Sequence, residues 1–275
     1  MWHKIAGDGP PVVLLHGATG SPESYWAPQI PVLSEHFQVI LMQYPGYGAE
    51  DDEGAEFSIP NTARALNALL DELSVEEVSL VGLSLGGAVS LQFALDYPDR
   101  VRRMVLADTL SGVRTERFRR FLDYALIGAI EQGGSDLMYD INLIFAFSER
   151  YLDETREELE AGKAGWRSID VPRYTAMLRA IREWSVDDRL HEIQTPALVL
   201  WGSEDIELPR VYSDRIASAL PRAILSVIEG AGHKSCSDLP DQFNKAVLTF
   251  LLDGGPARAG GSRTAAAAAQ PGPGA

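Results

Sequence analysis

Residues 82–86 read Gly-Leu-Ser-Leu-Gly, and the apolar run Val78-Ser79-Leu80-Val81 sits directly ahead of them. After them, Ala88–Leu95 reads as a largely buried helix that stops before Pro98. A strand that turns at once into a helix through Gly-x-Ser-x-Gly holds its serine in a strained backbone conformation. Strand and helix nearly touch there, so Gly82 and Gly86 must be small. The turn lifts the Ser84 hydroxyl clear of the sheet. It also leaves backbone N–H groups at the helix start facing a reacting carbonyl. Five residues match many chains by chance; the strand before and the helix after give the pattern its weight. The competing reading is a tight turn whose serine only caps the helix.

The remaining machinery of such a site is expected in the chain order Ser, acid, His, each after a later strand. Ala197-Leu198-Val199-Leu200-Trp201 reads as a buried strand followed by Gly202-Ser203-Glu204-Asp205. Ala223–Ile228 is the next, followed by Glu229-Gly230-Ala231-Gly232-His233. Both loops lie just past the carboxyl ends of strands, where open α/β sheets bind ligands. His233 suits a general base on Ser84, and Asp205 suits a partner that holds the imidazole tautomer. Glu204 is its neighbour. Asp108, after Met104-Val105-Leu106-Ala107, is the alternative acid, but a capped turn before Thr109 is the preferred reading there. The loop His16-Gly17-Ala18-Thr19-Gly20-Ser21 follows the run Val12-Val13-Leu14-Leu15. Its glycines let the backbone turn amides inward, so the N–H groups of Ala18 and Leu85 are the expected oxyanion donors. His16 is expected to order that loop by hydrogen bonding rather than to act as a base.

Together with Tyr44-Pro45-Gly46-Tyr47-Gly48, these segments resemble the α/β-hydrolase superfamily, in its branch of small, cofactor-free serine hydrolases. The nearest general likeness is to ester and lactone hydrolases of the 3-oxoadipate enol-lactonase type. The resemblance implies an α/β fold of the α/β-hydrolase kind: a mostly parallel central sheet flanked by helices, with a helical cap inserted over the serine. The family begins with two antiparallel strands before its His-Gly loop. Here eleven residues precede Val12, room for one short strand at Trp2–Ile5, so the first edge strand is expected to be missing.

The stretch between the strands at 104–107 and 197–201 is too long for a simple crossover. It reads as helices over 117–130, 135–147, 153–161 and 171–184. The expected division is a catalytic core at 1–110 and 191–253, a helical cap at 111–190 and a disordered, Gly/Ala/Pro-rich tail at 254–275. Phe145, Phe147 and Trp184 are the first candidates for pocket-lining, substrate-binding residues. The arginines 114, 117, 119 and 120 read as a solvated helix face rather than a carboxylate site.

The formal charge of −15 disfavours nucleic acid and anionic membranes as partners. No apolar run is long enough to span a membrane, and no signal peptide opens the chain. One cysteine, Cys236, excludes an internal disulfide and suits a reducing cytoplasm. Nothing resembles a Cys/His metal cluster, so neither metal nor cofactor is expected. The implied partner is a small-molecule substrate. The implied activity is hydrolysis of a carboxylic ester or lactone through an acyl-enzyme. One alternative is a carbon–carbon bond hydrolase with the same three residues; that kind usually carries Trp directly after the histidine, where this chain has Lys234. Another is a ligand sensor of negligible turnover on the same fold.

Overall fold

The computed structural model describes residues 2–47, 56–167 and 169–253. The tail expected to be disordered lies outside them, as does Gly48. Among the described residues the strands are β1 (His3–Ala6), β2 (Pro11–Leu15), β3 (Gln38–Met42), β4 (Val78–Leu83), β5 (Val101–Ala107), β6 (Ala197–Gly202) and β7 (Ala223–Ile228). They form one sheet in the order β1-β3-β2-β4-β5-β6-β7. β1 pairs antiparallel with β3, and every other pairing is parallel. Among the described residues one strand, β1, precedes β2, the strand that leads into the His16 loop, where the resemblance implied two.

The strand sequences are apolar almost throughout because both faces of a parallel sheet are covered. Side chains alternate between the faces with period two. Val13 and Leu15 join one core cluster, with Leu80, Met104, Leu106 and Val199. Val12 and Leu14 join the other, with Val81, Val105, Leu198 and Leu200. The helices are α1 (Pro22–Tyr25), α2 (Ile30–Leu33), α3 (Ile59–Glu72), α4 (Leu85–Asp96), α5 (Glu116–Arg120), α6 (Gly128–Ala146), α7 (Glu149–Glu154), α8 (Arg156–Trp166), α9 (Val171–Glu183), α10 (Val211–Ala219), α11 (Ser235–Asp238) and α12 (Pro240–Asp253). α3, α4 and α10 cover the first face. α12 covers the second, with Trp26 and Leu33.

Between β5 and β6 the chain is helical over most of its length. α5 runs through a π-helical stretch, Phe121–Ile127, straight into α6. The break expected after residue 130 is a kink at Gly134, whose φ is 75°. α1 and α2 are two short helices separated by Pro28, which has no N–H to continue the first. The apolar residues of the inserted helices, among them Leu122, Leu126, Tyr174 and Leu178, belong to the same core cluster as α3 and α4. The insertion is packed on the body, not set apart from it.

β4 meets α4 with no intervening loop. A Cβ at Gly82 would lie 2.3 Å from the Gly86 carbonyl oxygen, and one at Gly86 would lie 1.9 Å from that of Leu15. These neighbours are backbone, so they cannot swing aside. Gly86→Ala is therefore expected to destabilise by at least about 1–3 kcal/mol, read as a fall of several degrees in Tm. Gly165→Ala, in α8 where a Cβ meets nothing within 4 Å, is expected to leave Tm unchanged or slightly raised. Equal, small effects of both would show that the close approach is not needed.

Candidate active site

Ser84 stands at the junction of β4 and α4 with φ 55° and ψ −118°, a region that L-residues avoid. Its amide donates to the Ala107 carbonyl at 2.9 Å, and its own carbonyl accepts from the Thr109 hydroxyl at 2.5 Å. These bonds hold the strained turn against the end of β5. Its side chain faces a cavity also lined by Ala18, Thr19, Tyr25, Leu85, Glu207, His233 and Lys234. The roof of that cavity comes from Phe118, Leu122, Leu126, Asn142, Ala146, Tyr174, Leu178 and Ile181.

His233 and Asp205 meet beside this cavity. The ring Nδ1 lies 3.0 Å from Asp205 Oδ2, and both side chains are buried. Asp205 Oδ1 accepts from the Leu208 amide at 2.8 Å, which fixes the carboxylate plane. Asp108 does not touch the ring. Its Oδ1 accepts from the Gly202 amide at 2.8 Å and its Oδ2 from the Ser235 hydroxyl. It ties the ends of β5 and β6 to the His233 loop, from a backbone at φ 43°. Burial, reinforced by the Asp205 charge, pushes the Asp108 carboxyl above the ordinary carboxylate range. Glu204 is exposed.

The loop after β2 is ordered by aromatic rings. His16 is buried, stacks on Tyr44 with centroids 4.0 Å apart, and places Nδ1 2.7 Å from the Gly17 carbonyl. Burial lowers its pKa to about 4, so the ring is neutral. The Tyr44 hydroxyl donates to the His16 carbonyl and that of Tyr47 to the Ala18 carbonyl. Ala18 and Leu85 come together at the serine, and neither amide has an acceptor among the described residues. Cys236 is buried, and burial raises its thiol to about 12. It carries no thiolate near neutral pH.

Three expected lining residues lie elsewhere. Phe145 packs on Phe121 with centroids 4.4 Å apart and lines a separate apolar groove with Tyr124 and Val211. Phe147 stacks on Tyr151 at 4.4 Å. Trp184 is buried and donates from its indole to Gln92 at 2.8 Å. Size alone singled them out in the sequence. The actual lining comes from Phe118, Leu122, Leu126, Tyr174 and Leu178, on the helix faces that meet the serine.

The sequence reading also passed over Glu207 and Asp238. The largely buried Glu207 carboxylate sits 3.7 Å from His233 Nε2, the ring nitrogen that points away from Asp205. Asp238 accepts from the Gly232 and Ser148 amides and the Ser148 hydroxyl, at 2.7–2.8 Å. It bolts the His233 loop to the inserted helices. Its signal was its spacing, five residues past His233, which names no partner.

The sequence profile of the α/β hydrolase fold matches residues 10–239. The chain belongs to the α/β-hydrolase fold family. It is 29% identical to the putative carbamate hydrolase RutD of Agrobacterium fabrum, over 88% of this chain and 93% of that one. It is 28% identical to a 2-hydroxy-6-oxononadienedioate/2-hydroxy-6-oxononatrienedioate hydrolase of Comamonas testosteroni, over 90% of each chain. Its structure resembles the enol-lactonase of Burkholderia xenovorans LB400, with a TM-score of 0.80 and 25% identity over 91% of this chain and 95% of that one. Family and relatives agree on a hydrolase of this fold. Among its described residues no group of three or more His, Cys, Asp or Glu is placed to hold a metal, and no helix is long and apolar enough to cross a membrane.

The site of this α/β-hydrolase has an unusual charge balance. Burial disfavours the His233 imidazolium, but the carboxylates of Glu207 and Asp205, the Asp205 hydrogen bond and Asp108 outweigh it and raise the pKa to about 10. The neutral ring therefore gains population as pH rises through the range from 7 to 10. Glu207→Gln removes the charge that faces Nε2 and is expected to move this titration down by about 1–3 pH units. Ring-nitrogen NMR of labelled His233 reads it directly. An unmoved titration in the variant would mean that Glu207 does not govern the ring.

Proposed function

We propose that this chain is a cofactor-free serine hydrolase of carboxylic esters or lactones, acting in the cytoplasm. The observation that carries this reading is the Asp205–His233 pair, 3.0 Å apart, opening onto the cavity that Ser84 enters from its strained turn. Ser84 Oγ attacks the carbonyl carbon while His233 Nε2 takes its proton. Asp205 holds the ring so that Nδ1–H points at the carboxylate. The amides of Ala18 and Leu85 receive the oxyanion, and their lack of other acceptors supports that role. As the tetrahedral adduct collapses, the carbon–oxygen bond to the alcohol breaks and His233 protonates the leaving oxygen. A water, deprotonated by His233, then releases the acid and restores Ser84. The substrate is a small molecule held beneath the roof of the cavity. The one cysteine, buried and protonated, suits a reducing compartment.

Ser84→Ala is expected to abolish labelling by a fluorophosphonate and to lower ester turnover by several orders of magnitude, with the fold intact. Asp205→Asn is expected to cost roughly 10⁴-fold in kcat, and Asp108→Asn far less. Intact labelling of Ser84→Ala would sink the nucleophile, and the reverse ranking of the two Asn variants would move the acid to Asp108. A wild type that binds esters with no turnover would make the chain a sensor.

The cavity at Ser84 has a volume of about 50 Å³, against roughly 10–15 Å³ needed to hold one water. The side chains around it therefore set which acyl groups fit. Leu178→Ala is expected to raise kcat/KM for hexanoyl over acetyl esters by about tenfold or more, since a methylene in an apolar pocket is worth about 1–3 kcal/mol. Phe145→Ala, outside the cavity, is expected to leave that ratio near the wild type. Selectivity that followed Phe145 and ignored Leu178 would relocate the acyl pocket.

A further inference from the structure

The cavity holds a cation that the reaction above does not use. Lys234 follows His233 directly and lines the same cavity as Ser84 and Ala18. Its amide donates to the Ala146 carbonyl at 2.7 Å, which anchors the root of the side chain between the His233 loop and α6. Its Nζ lies over two aromatic faces, 4.5 Å from the centroid of Tyr25 and 5.7 Å from that of Phe147. Among the described residues no carboxylate comes within 4.0 Å of Nζ and no acceptor takes a hydrogen bond from it. Among the described residues Lys163 is paired with Asp140 and Arg100 with Asp71, each at 2.8 Å, and Arg103, which has no carboxylate, donates to the Phe250 and Leu251 carbonyls. With 39 acidic against 24 basic residues, carboxylates are in excess. An ammonium left without one inside a substrate cavity is therefore not a matter of supply.

The groups around it do not supply the missing charge. The Cys236 thiol is protonated, and the His16 ring is neutral. Glu207, in the same cavity, stands against His233 Nε2. Ring faces stabilise a desolvated ammonium, but by less than a buried charge costs without a partner. Burial accordingly lowers the Lys234 pKa below the ordinary lysine value.

We propose that Lys234 selects substrates bearing an anionic group, a carboxylate in the simplest case, on the side of the scissile carbonyl that faces Tyr25. The proposal rests on the esterase reading of the site and names the class of substrate it takes. The carboxylate completes the ion pair that the fold leaves open, and the Tyr25 and Phe147 rings hold the ammonium in place until it arrives. A charge-assisted contact of this kind is worth about 1.5–3 kcal/mol, or roughly ten- to hundredfold in kcat/KM.

The test compares esters that differ in charge and little else. p-Nitrophenyl hemiglutarate against p-nitrophenyl pentanoate places the carboxylate on the acyl side. 4-Acetoxybenzoate against 4-acetoxybenzamide places it on the alcohol side. In at least one pair the wild type is expected to prefer the anion by tenfold or more. Lys234→Met is expected to remove that preference, mainly through KM, and Lys234→Arg to keep most of it. The labelling rate with an uncharged fluorophosphonate reports the nucleophile separately and is expected to change much less than the preference. No preference in either pair, or equal slowing of charged and neutral esters by Lys234→Met, overturns the proposal and leaves the esterase reading standing. If wild-type protein neither labels nor turns over, the esterase reading fails first. Calorimetric binding of glutarate and of 4-hydroxybenzoate, absent in Lys234→Met, then supports the anion site on its own, and equal or absent binding in both proteins overturns it.

Discussion

The site depends on one steric contact, the close approach of β4 to α4 where Gly82 faces Gly86 and Gly86 faces Leu15. A Cβ on either glycine would drive into backbone at 2.3 Å or less. Because the two elements touch, no loop separates them, and the whole reversal falls on Ser84 at φ 55°. α4 begins without a side-chain cap; the Gly87 and Ala88 amides donate to the Ser84 carbonyl, and the Leu85 amide has no acceptor among the described residues. The Leu15 carbonyl takes part in the same contact. The loop that begins at His16 therefore starts beside the nucleophile, and Ala18 arrives at the cavity opposite Leu85. One contact thus places the serine and both candidate oxyanion donors.

A second set of bonds couples the histidine to the roof. Asp238 gathers the Gly232 amide and the Ser148 amide and hydroxyl onto one buried carboxylate, and Arg150 reaches it from α7 at 3.1 Å. The Lys234 amide adds the bond to Ala146. A Cβ at Gly232 would meet the Phe147 backbone at 2.6 Å. The His233 loop and the end of α6 consequently move as a unit. Roof and body also share one apolar cluster, so opening the cavity requires apolar surface to be exposed.

The sheet and the Ser84, Asp205 and His233 positions were legible because each is a local pattern. A buried strand reads as an apolar run, and the loop after it carries the chemistry. Phe145, Phe147 and Trp184 show where local patterns stop. Which face of a roof helix meets the serine depends on its rotational phase. Along α5–α6 that phase is altered by the π-helical stretch Phe121–Ile127 and again by the kink at Gly134. A period of 3.6 counted through that region loses register, so large aromatics stand in for a face that cannot be counted. Glu207 was missed for a related reason. Asp205 folds its own loop back by accepting from the Leu208 amide, and this turn brings Glu207 to the far nitrogen of the ring. The carboxylates nearest Asp205 and the strand ends, Glu204 and Asp108, drew attention instead, yet one is exposed and the other is spent on the Gly202 amide and Ser235.

The electrostatics of the cavity follow from this arrangement. Asp205 and Glu207 stand on the two nitrogens of one buried imidazole, so negative charge concentrates where the base must lose and regain a proton. The surface outside is acidic as well, with a net charge of −15 for the chain. Such a surface repels an approaching anion, but at physiological salt that repulsion is screened beyond about 8 Å. Under the proposal discrimination falls to contacts inside the cavity, where screening is weak and an ammonium with no carboxylate partner among the described residues outweighs a distant excess of acid. Among the described residues Lys234 is the one cation that lines the cavity with Ser84, and it has no carboxylate within salt-bridge distance. Glu207 opposes it, but Glu207 is directed at His233, and an anion bound over Tyr25 is drawn to Lys234 while Glu207 keeps its contact with the ring. In the proposed site, charge selection and base strength thus fall to different side chains of one small cavity.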